Sequence, residues 1–394
     1  MSWQARITRI EIYKPFPEES MDIVQTGSWG FGEGPLIIAG PCSAETEEQL
    51  MATAVALEAT GRVHLFRAGL WKPRSRPSSF AGEGVRALGW LRRVKAETGL
   101  PVTVEVASPE HAVACLDAGI DAVWLGARTV SNPFSVDAIV SVLQGTDIPV
   151  MVKNPLSPDL ELWVGAIERV YSAGIRKIAA VHRGFTPYDK SRYRNLPKWE
   201  LAIELRSRIP SLPVICDPSH MSGKASLVPE TAQKALDMNM AGLMIEVHND
   251  PAHALSDKEQ QLDPDGFERM MGQLLFRKST SGDSGFINHL EELRNRIDSI
   301  DHQLIGLLAA RMRISEEMGE FKCRNGVTVF QLERWLEILK SRTQHGISEG
   351  LDREFVGRVI RIIHEESIRC QDEVMKRMRS SGGCPPAGNE GEQQ

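Results

Sequence analysis

Eight short apolar runs, each followed by a segment of helical periodicity, occupy the chain from residue 36 to about residue 277. Each run is rich in Val, Ile and Leu and is apolar on both faces, as a parallel strand covered by helices should be. The runs span residues 36–41, 63–69, 101–107, 122–127, 149–154, 177–184, 213–217 and 242–248, and the candidate helices include 45–59 and 158–173. Eight β-α units in about 240 residues predict an α/β fold, a TIM (β/α)8 barrel, although a doubly wound sheet has the same alternation.

The apolar runs stop at a polar segment, residues 278–285, which we interpret as a linker. The barrel domain is then predicted at 1–277, with an alternating stretch at 6–13 as a strand that closes the barrel bottom. A C-terminal all-α helical domain is predicted at 286–380, with helices at 286–322, 331–342 and 352–379. The Gly, Pro and polar tail at 381–394 is expected to be disordered.

The first predicted helix of this second domain carries an apolar stripe with three- and four-residue spacing. At 1.5 Å per residue the helix is about 50 Å long, more than two shorter partners can cover. We therefore expect a homodimer, or a higher homo-oligomer, that forms through the helical domain.

Composition restricts the partners and the compartment. A net charge of -6 excludes an overall basic field for nucleic acid or anionic membrane. The six cysteines form no C-x-x-C pair and are interpreted as reduced thiols. No apolar leader or stretch of 18 apolar residues is visible, so we expect a cytoplasmic protein.

Ionisable residues stand at the predicted carboxyl ends of the strands, where a barrel of this kind places its active site. They are Cys42, Arg67, Lys72, Arg74, Glu105, Arg128, Lys153, Arg183, Asp217, His220, Glu246 and His248. Any one cation could be an ordinary solvated loop residue. Five or six of them at one rim of an acidic protein predict a substrate with several anionic groups.

Cys42, His220, Glu246 and Asp257 together offer sulfur, nitrogen and carboxylate ligands for a divalent transition metal. Their spacing over 216 positions does not by itself show a metal site. For Cys42 alone the favoured interpretation is a buried structural thiol, and for His220 alone it is a hydrogen-bonded loop histidine.

Six ordered motifs resemble 3-deoxy-D-arabino-heptulosonate 7-phosphate (DAHP) synthase, in the type I beta branch that also includes the 3-deoxy-octulosonate 8-phosphate synthases. The motifs are Ala-Gly-Pro-Cys-Ser at 39–43, Arg-Ala-Gly-Leu-Trp-Lys-Pro-Arg-Ser at 67–75, Gly-Ala-Arg at 126–128, Asp-Pro-Ser-His at 217–220, Ile-Glu-Val-His at 245–248 and Ala-Leu-Ser-Asp at 254–257. The resemblance implies a barrel that condenses phosphoenolpyruvate with erythrose 4-phosphate. It also implies that a divalent metal ion, Mn²⁺ or a similar transition metal, is bound by Cys42, His220, Glu246 and Asp257.

The same resemblance implies the substrate contacts. Phosphoenolpyruvate would lie against Arg67, Lys72, Arg128, Lys153 and Arg183, and the erythrose 4-phosphate side would be lined by Lys72, Pro73, Arg74 and Ser75. Lys72 or a metal-bound water would handle proton transfer. Arg76 departs from the small hydroxyl residue common in relatives, and Lys72-Pro73-Arg74 disfavours the octulosonate alternative, which would carry Lys-x-Asn-Arg.

The predicted helical domain holds a second group of cations and polar residues, namely Arg294, Arg311, Lys322, Arg334, Ser367 and Gln371. At 100° per residue, Arg311 and Lys322 lie about 20° apart around one helix, whereas Arg294 lies about 260° from Arg311. A single chain would not bring all three together, but a dimer with crossed long helices could. These residues could also be ordinary surface cations of an amphipathic helix.

Four segments of this domain resemble the all-helical chorismate mutase: Leu-Arg-x-x-Ile-Asp-x-Ile-Asp at 293–301, Leu-Leu-Ala-x-Arg at 307–311, a predicted turn at 319–322, and Glu-Glu-Ser-x-x-x-Gln at 365–371. The resemblance implies that Arg311, Arg334 and the partner chain's Arg294 bind the two carboxylates of chorismate. Lys322 and Gln371 would bond the ether oxygen, with Ser367 nearby. Gln331 and Trp335 stand where carboxylates are usual, so we expect weaker catalysis or a different contact to the substrate hydroxyl.

Two hypotheses for the whole chain follow. The first is a bifunctional enzyme of aromatic amino-acid (shikimate pathway) synthesis that makes DAHP and converts chorismate to prephenate. The second is a DAHP synthase whose helices form a non-catalytic dimerisation or effector-sensing module. Under the first we also expect prephenate, or another pathway product, to bind the helices and inhibit the barrel.

Overall fold

The computed structural model describes residues 21–72, 80–188, 190–277 and 281–380. The chain divides into two compact units with the boundary between Ser279 and Thr280. The strand predicted at 6–13, the tail at 381–394 and the substrate residues Arg74 and Ser75, together with Arg76, lie outside the described residues.

The first unit is a closed barrel of eight parallel strands in sequential order, which confirms the predicted fold class and excludes the doubly wound sheet. The strands are β1 (Leu36–Gly40), β2 (Leu65–Ala68), β3 (Val102–Val106), β4 (Ala122–Leu125), β5 (Val150–Lys153), β6 (Ile178–His182), β7 (Val214–Cys216) and β8 (Gly242–Glu246). The pairing of β1 with β8, from Leu36↔Gly242 to Gly40↔Glu246, closes the sheet.

Ten α-helices accompany the strands of this unit among the described residues. They are α1 (Glu47–Ala59), α2 (Arg86–Thr98), α3 (Pro109–Ala118), α4 (Ala127–Val130), α5 (Pro133–Leu143), α6 (Leu160–Ser172), α7 (Trp199–Arg208), α8 (Pro218–Ser222), α9 (Val228–Asp237) and α10 (Pro264–Gln273). Several begin at a side chain that accepts a backbone N–H, such as Thr46 before α1 and Asp159 before α6. Gly99 and Gly119 end α2 and α3 in the left-handed conformation that glycine adopts without strain.

Side chains of each strand alternate between two apolar layers. Ile38, Leu65, Trp124 and Met244 belong to the cluster inside the barrel, whereas the residues between them pack outward under the helices. Trp29, from the segment before β1, packs into the same inner cluster, and its indole N–H donates to the Val24 carbonyl. The amino-terminal end of the barrel is therefore filled by residues close to β1.

The second unit consists of three helices: α11 (Ser284–Arg324), α12 (Leu332–Ser348) and α13 (Arg353–Ser380). Helix α11 begins inside the segment predicted as linker, because the Asp283 side chain accepts the N–H of Phe286 and caps it. The turn expected at 319–322 is wrong, since α11 continues through it. A Cβ on Gly319 would lie 2.9 Å from the Gln371 Cα, so this glycine permits close packing of α11 against α13.

The structure bears on two features that the sequence analysis used, membrane-spanning segments and the state of the cysteines. No helix within the described ranges combines the length and apolar character needed to cross a bilayer. Cys42, Cys115, Cys216 and Cys370 are free thiols, but Cys323 is disulfide-bonded. The expectation of six reduced cysteines is therefore wrong for Cys323, because separation along the chain does not reveal which residues meet in the fold.

Candidate functional sites

The carboxyl ends of the strands carry charged residues that point into the barrel. Arg67, Lys153 and Glu246 each stand two residues after an inward-facing apolar residue of the same strand, so strand alternation turns them toward the barrel axis. Arg67 is almost fully buried, and its guanidinium lies 5.1 Å from the Trp124 ring centroid. A Cβ at Gly40 would meet the Arg67 carbonyl at 2.1 Å, so only glycine fits beside β2 here.

Three potential metal ligands meet at this end of the barrel. The donor atoms of Cys42, Glu246 and Asp257 all lie within 4.8 Å of one another. His220 faces the same group, with Nε2 3.7 Å from Glu246 Oε1 and 3.9 Å from Asp257 Oδ2. The structure thus brings all four sequence-predicted ligands together from positions far apart in the chain.

The donor set fits a divalent transition metal. Glu246 Oε1 is buried and accepts no hydrogen bond of good geometry from the residues that the structure describes, although the Arg67 Nη2 lies 3.1 Å away. The Arg67 guanidinium offsets part of the cost of burying this carboxylate, and the oxygen keeps an acceptor position that a metal ion could use. Sulfur, imidazole nitrogen and carboxylate oxygen are a combination that transition metals prefer over magnesium or calcium.

A second layer of residues orients these ligands. Gln260 Nε2 donates to Glu246 Oε2 at 2.6 Å, and Gln261 Oε1 accepts the Cys42 N–H at 2.9 Å. His220 Nδ1 lies 2.8 Å from Asp217 Oδ2, which also accepts from Lys153 Nζ at 2.8 Å. Such outer contacts fix the ligand side chains before a metal binds.

Sequence reasoning missed Gln260 and Gln261. Their position three and four residues after Asp257, in the same loop, was the one available signal.

Burial and neighbouring charges together set the protonation of the four residues in this cluster. Burial raises the pKa of the Cys42 thiol to about 12, with the negative charge of Glu246 adding to the effect. Burial opposes ionisation of Asp257, but the positive charges of His220 and Arg194 bring its pKa below the usual value. The carboxylates are therefore ionised at neutral pH, whereas the thiol requires a nearby cation to lose its proton.

A cavity opens beside this cluster and is dominated by cations. Its lining includes Lys72, Glu105, Arg128, Lys153, Arg183, Arg194, His220 and Asp257. Lys72 Nζ donates to the Cys42 carbonyl at 2.7 Å and to Cys42 Sγ at 3.0 Å, so it links the cavity to the ligand cluster. Arg67 lies buried behind the cluster, against Glu246.

Arg194 was not predicted from the sequence. It contacts Asp257 at 3.1 Å and donates to Gln260 Oε1 at 2.6 Å, which joins the cation group to the second layer. It belongs to a loop between β6 and α7, where no periodicity marks the direction of a side chain.

The helical unit contains a second cavity between its three helices. The lining combines cations and polar groups with an apolar wall, and includes Arg311, Lys322, Gln331, Arg334, Trp335, Arg342, His364, Ser367 and Gln371. Arg311 donates to Ser367 Oγ, and Lys322 Nζ donates to the Val329 carbonyl at 2.6 Å. Burial lowers the pKa values of Arg311 and Lys322, but both remain cations at neutral pH because their ordinary values are so high.

Arg294 is separate from this cavity. It is exposed on α11 and pairs with Glu291 at 2.5 Å, 17 positions or about 26 Å along the helix from Arg311. The structure therefore unites five of the six predicted residues of this site and leaves Arg294 outside.

A closed parallel barrel with charged side chains converging at the carboxyl ends of its strands defines an enzyme of the TIM-barrel class. Residues 18–277 match the model of the DAHP synthetase I family, and residues 293–372 match the model of chorismate mutase type II. The chain belongs to the DAHP synthetase I family and carries a chorismate mutase domain after the barrel.

Individual relatives agree with this assignment. The chain is 30% identical to a phospho-2-dehydro-3-deoxyheptonate aldolase of Thermotoga maritima, over 67% of this chain and 78% of that protein. It is 29% identical to a 2-dehydro-3-deoxyphosphooctonate aldolase of Nitratidesulfovibrio vulgaris, over 56% and 84%. The crystal structure of a Thermotoga maritima DAHP synthase is similar, with a TM-score of 0.58, 30% identity, and coverage of 64% of this chain and 72% of that one.

Proposed function

We propose that the barrel condenses phosphoenolpyruvate with erythrose 4-phosphate to DAHP and phosphate at the Cys42 cluster, and that the cavity of the helical unit converts chorismate to prephenate. The observation that carries the first part is the meeting of Cys42, Glu246 and Asp257 within 4.8 Å beside a cavity lined by several cations. The combination suits a substrate with phosphate and carboxylate groups next to a polarisable carbonyl.

Cys42, His220, Glu246 and Asp257 would hold a divalent transition metal such as Mn²⁺. When bound, the metal supplies Lewis-acid polarisation of the aldehyde carbonyl. The remaining work belongs to the protein's own side chains. Because their outer contacts fix these four residues, the ligands need little rearrangement.

The cations of the cavity would bind phosphoenolpyruvate. Arg128, Lys153 and Arg183 line the cavity, and Arg183 is held there because its Nη1 donates to Asn195 Oδ1 at 2.9 Å. Fixed cations of this kind stabilise negative charge that develops as phosphate leaves. Arg67, buried against Glu246, would add positive charge behind the ligand cluster. Lys72 lies between the proposed metal ligands and the cavity, where it can donate a hydrogen bond to the reacting aldehyde oxygen. Arg74 and Ser75 remain predictions for the erythrose 4-phosphate side.

The helical cavity needs only to bind and polarise its substrate, because the rearrangement of chorismate is pericyclic and requires no nucleophile or base. Arg311 and Arg334 would bind carboxylates, and Lys322 with Gln371 would stabilise the partial negative charge on the breaking ether. Ser367 holds the Arg311 guanidinium in place.

Arg294 would reach the cavity of a second chain. In the same chain, Arg294 lies about 26 Å along α11 from Arg311, which lines the cavity. An apolar row on the same helix, at Leu293, Ile297, Ile300, Leu304 and Leu307, is exposed in the single chain. We therefore infer a homodimer in which each α11 covers the other's apolar row and supplies one arginine.

The deciding experiment measures loss of phosphoenolpyruvate with erythrose 4-phosphate and, in parallel, with arabinose 5-phosphate. We expect turnover with the four-carbon sugar at least tenfold faster, and the reverse preference would assign the barrel to the octulosonate branch. Prephenate formation from chorismate is measured on the same preparation. A rate equal to solvent background would leave the helices as a dimerisation or effector-sensing module.

A further inference from the structure

His364 lies on the face of α13 that lines the helical cavity. It precedes Ser367 by three residues and Gln371 by seven, so the three side chains share one face of the helix. Ser367 and Gln371 already have roles in the proposed site. His364, next to them, has none.

The imidazole of His364 is held by a neighbouring helix. Trp335 of α12 stacks on it with the ring centroids 4.1 Å apart and the planes 11° apart. The Nε2 atom is buried and has no hydrogen-bond partner among the residues that the structure describes. His364 lines the cavity, and a buried nitrogen without a hydrogen-bond partner is costly, so a polar group of a ligand that reached Nε2 would gain a contact there.

Hydrogen-bond accounting shows which group that is. The two carboxylates and the ether oxygen of chorismate only accept hydrogen bonds, and the cations and Gln371 would satisfy them. The ring hydroxyl alone can donate and needs an acceptor. No carboxylate appears among the described residues that line the cavity, so the side-chain acceptors there are the His364 imidazole, the Ser367 hydroxyl and the amide oxygens of Gln331 and Gln371. Ser367 Oγ already accepts from Arg311 and donates to the Ile363 carbonyl.

We propose that His364 Nε2 binds the ring hydroxyl of chorismate and that Trp335 is a positioning residue that holds the imidazole for this contact. The inference rests on the proposed mutase function of the helical unit. It adds a substrate-binding residue for the hydroxyl and gives Trp335 a function.

The charges around His364 keep the imidazole neutral at pH 7. Burial lowers its pKa, the positive charges of Arg311 and Lys322 on α11 lower it further, and Glu365 on α13 opposes them. Arg334 and Arg342 on α12 line the same cavity and add positive charge. A neutral imidazole keeps one lone pair with which to accept a hydrogen bond.

The test compares chorismate with an analogue in which hydrogen replaces the ring hydroxyl, using the full-length protein. His364→Phe keeps a ring that can stack on Trp335 and removes both nitrogens. For chorismate we expect kcat/KM to fall about tenfold, which corresponds to ~1.4 kcal/mol. For the analogue we expect no change, so the wild-type preference for the hydroxyl should disappear. His364→Gln, which retains an acceptor, should restore part of the preference.

Matched variants separate this role from a structural one. His345→Phe makes the same change at an exposed position of α12 outside the cavity and should leave both rates unchanged. Trp335→Leu should also reduce the hydroxyl preference, but should add nothing in the His364→Phe background. Helical circular dichroism checks that each variant folds.

An unchanged preference in folded His364→Phe, or equal losses for both substrates, would overturn the inference. Wild-type protein that does not turn over chorismate at all would instead contradict the proposed mutase function.

Discussion

Neighbours distinguish Cys42 from the other buried cysteines of the barrel. Cys115 is equally buried, and burial also raises its pKa to about 12. Cys42 alone of the two has Glu246 and Asp257 close to its sulfur and the Lys72 ammonium 3.0 Å away. The same residue type is therefore inert packing at one position and a potential metal ligand at the other.

Replacing Cys42 tests that distinction. Cys42→Ala removes the sulfur ligand, so we expect metal content to fall and condensation to slow on the order of 100-fold or more. A chelator should have the same effect on the wild type, while chorismate turnover continues in both cases. Metal analysis and a phosphoenolpyruvate assay provide the measurements. Cys115→Ala, the control, should keep its metal, and a metal-free but fully active Cys42→Ala protein would contradict the proposed centre.

His182 is a buried titratable residue without a place in the proposed chemistry. It is packed among Trp163, Phe185 and Trp199, with ring centroids 5.4 to 5.9 Å away. Burial lowers its pKa to about 4. Because the pKa in the unfolded chain is about 6.5, the unfolded chain binds the proton first as the pH falls. The stability that neutral His182 contributes is complete above pH 6.5 and is lost toward pH 4.

His182→Phe should remove this pH dependence. Between pH 7.5 and pH 5 the wild type should lose about 2 kcal/mol more unfolding free energy than the variant, from the difference between the two pKa values. Urea unfolding followed by tryptophan fluorescence at the two pH values measures it. Parallel losses in the two proteins would show that His182 does not titrate in this way.

Helix α11 carries a row of apolar residues that its own chain leaves exposed. Leu293, Ile297, Ile300, Leu304 and Leu307 alternate at four- and three-residue spacing and are 38–70% exposed. This spacing is typical of a helix that packs along a second helix. The packing of α12 and α13 covers other parts of α11, including Gly319 and Ser315.

A charge in the middle of this row should break the proposed dimer. We expect Leu304→Glu to run as a monomer in size-exclusion chromatography with light scattering, because burying an unpaired carboxylate is costly. Mutase activity should fall with it, since Arg294 no longer reaches a partner. Phe134→Glu, at an exposed apolar residue of α5, is the control and should remain dimeric. A Leu304→Glu protein that is still dimeric and active would place the interface elsewhere.

At the scale of the whole molecule, two activities of one pathway share a chain. The barrel makes the first product of the pathway and the helices act at a later branch. A product that accumulates and binds the helices could therefore signal that less DAHP is needed. Binding at one site can alter the other only through different affinities for two states of the protein. This is our reason for expecting control of the barrel by prephenate.

Saturating prephenate should slow DAHP formation severalfold in the full chain. Lys322→Ala, which weakens the helical site, should shift the inhibition to higher prephenate concentrations and leave the uninhibited synthase rate unchanged. Initial rates with and without prephenate measure both effects. Equal synthase rates with and without prephenate in the wild type would contradict control by prephenate, while leaving both proposed activities unaffected.

The strands and most helices could be predicted from the sequence alone. The run at 63–69 contains β2, Leu65–Ala68, and the run at 242–248 contains β8, Gly242–Glu246. Strands buried on both faces are continuous apolar segments, and that property is local. Most of the rim cations were predictable for a related reason, since they follow these strands closely. The grouping of Cys42, His220, Glu246 and Asp257 as proposed metal ligands depended on the family resemblance, because Asp257 lies eleven residues after the end of β8.

Only the tertiary structure decided which distant segments meet. Closure by β1 and β8 distinguished the barrel from an open sheet, and loop folding brought Arg194 and Gln260 to the proposed metal ligands. The stack of Trp335 on His364 likewise joins two helices. The periodicity of a sequence reports how each element divides between solvent and core, but contacts between elements arise from packing in three dimensions, which no local pattern encodes.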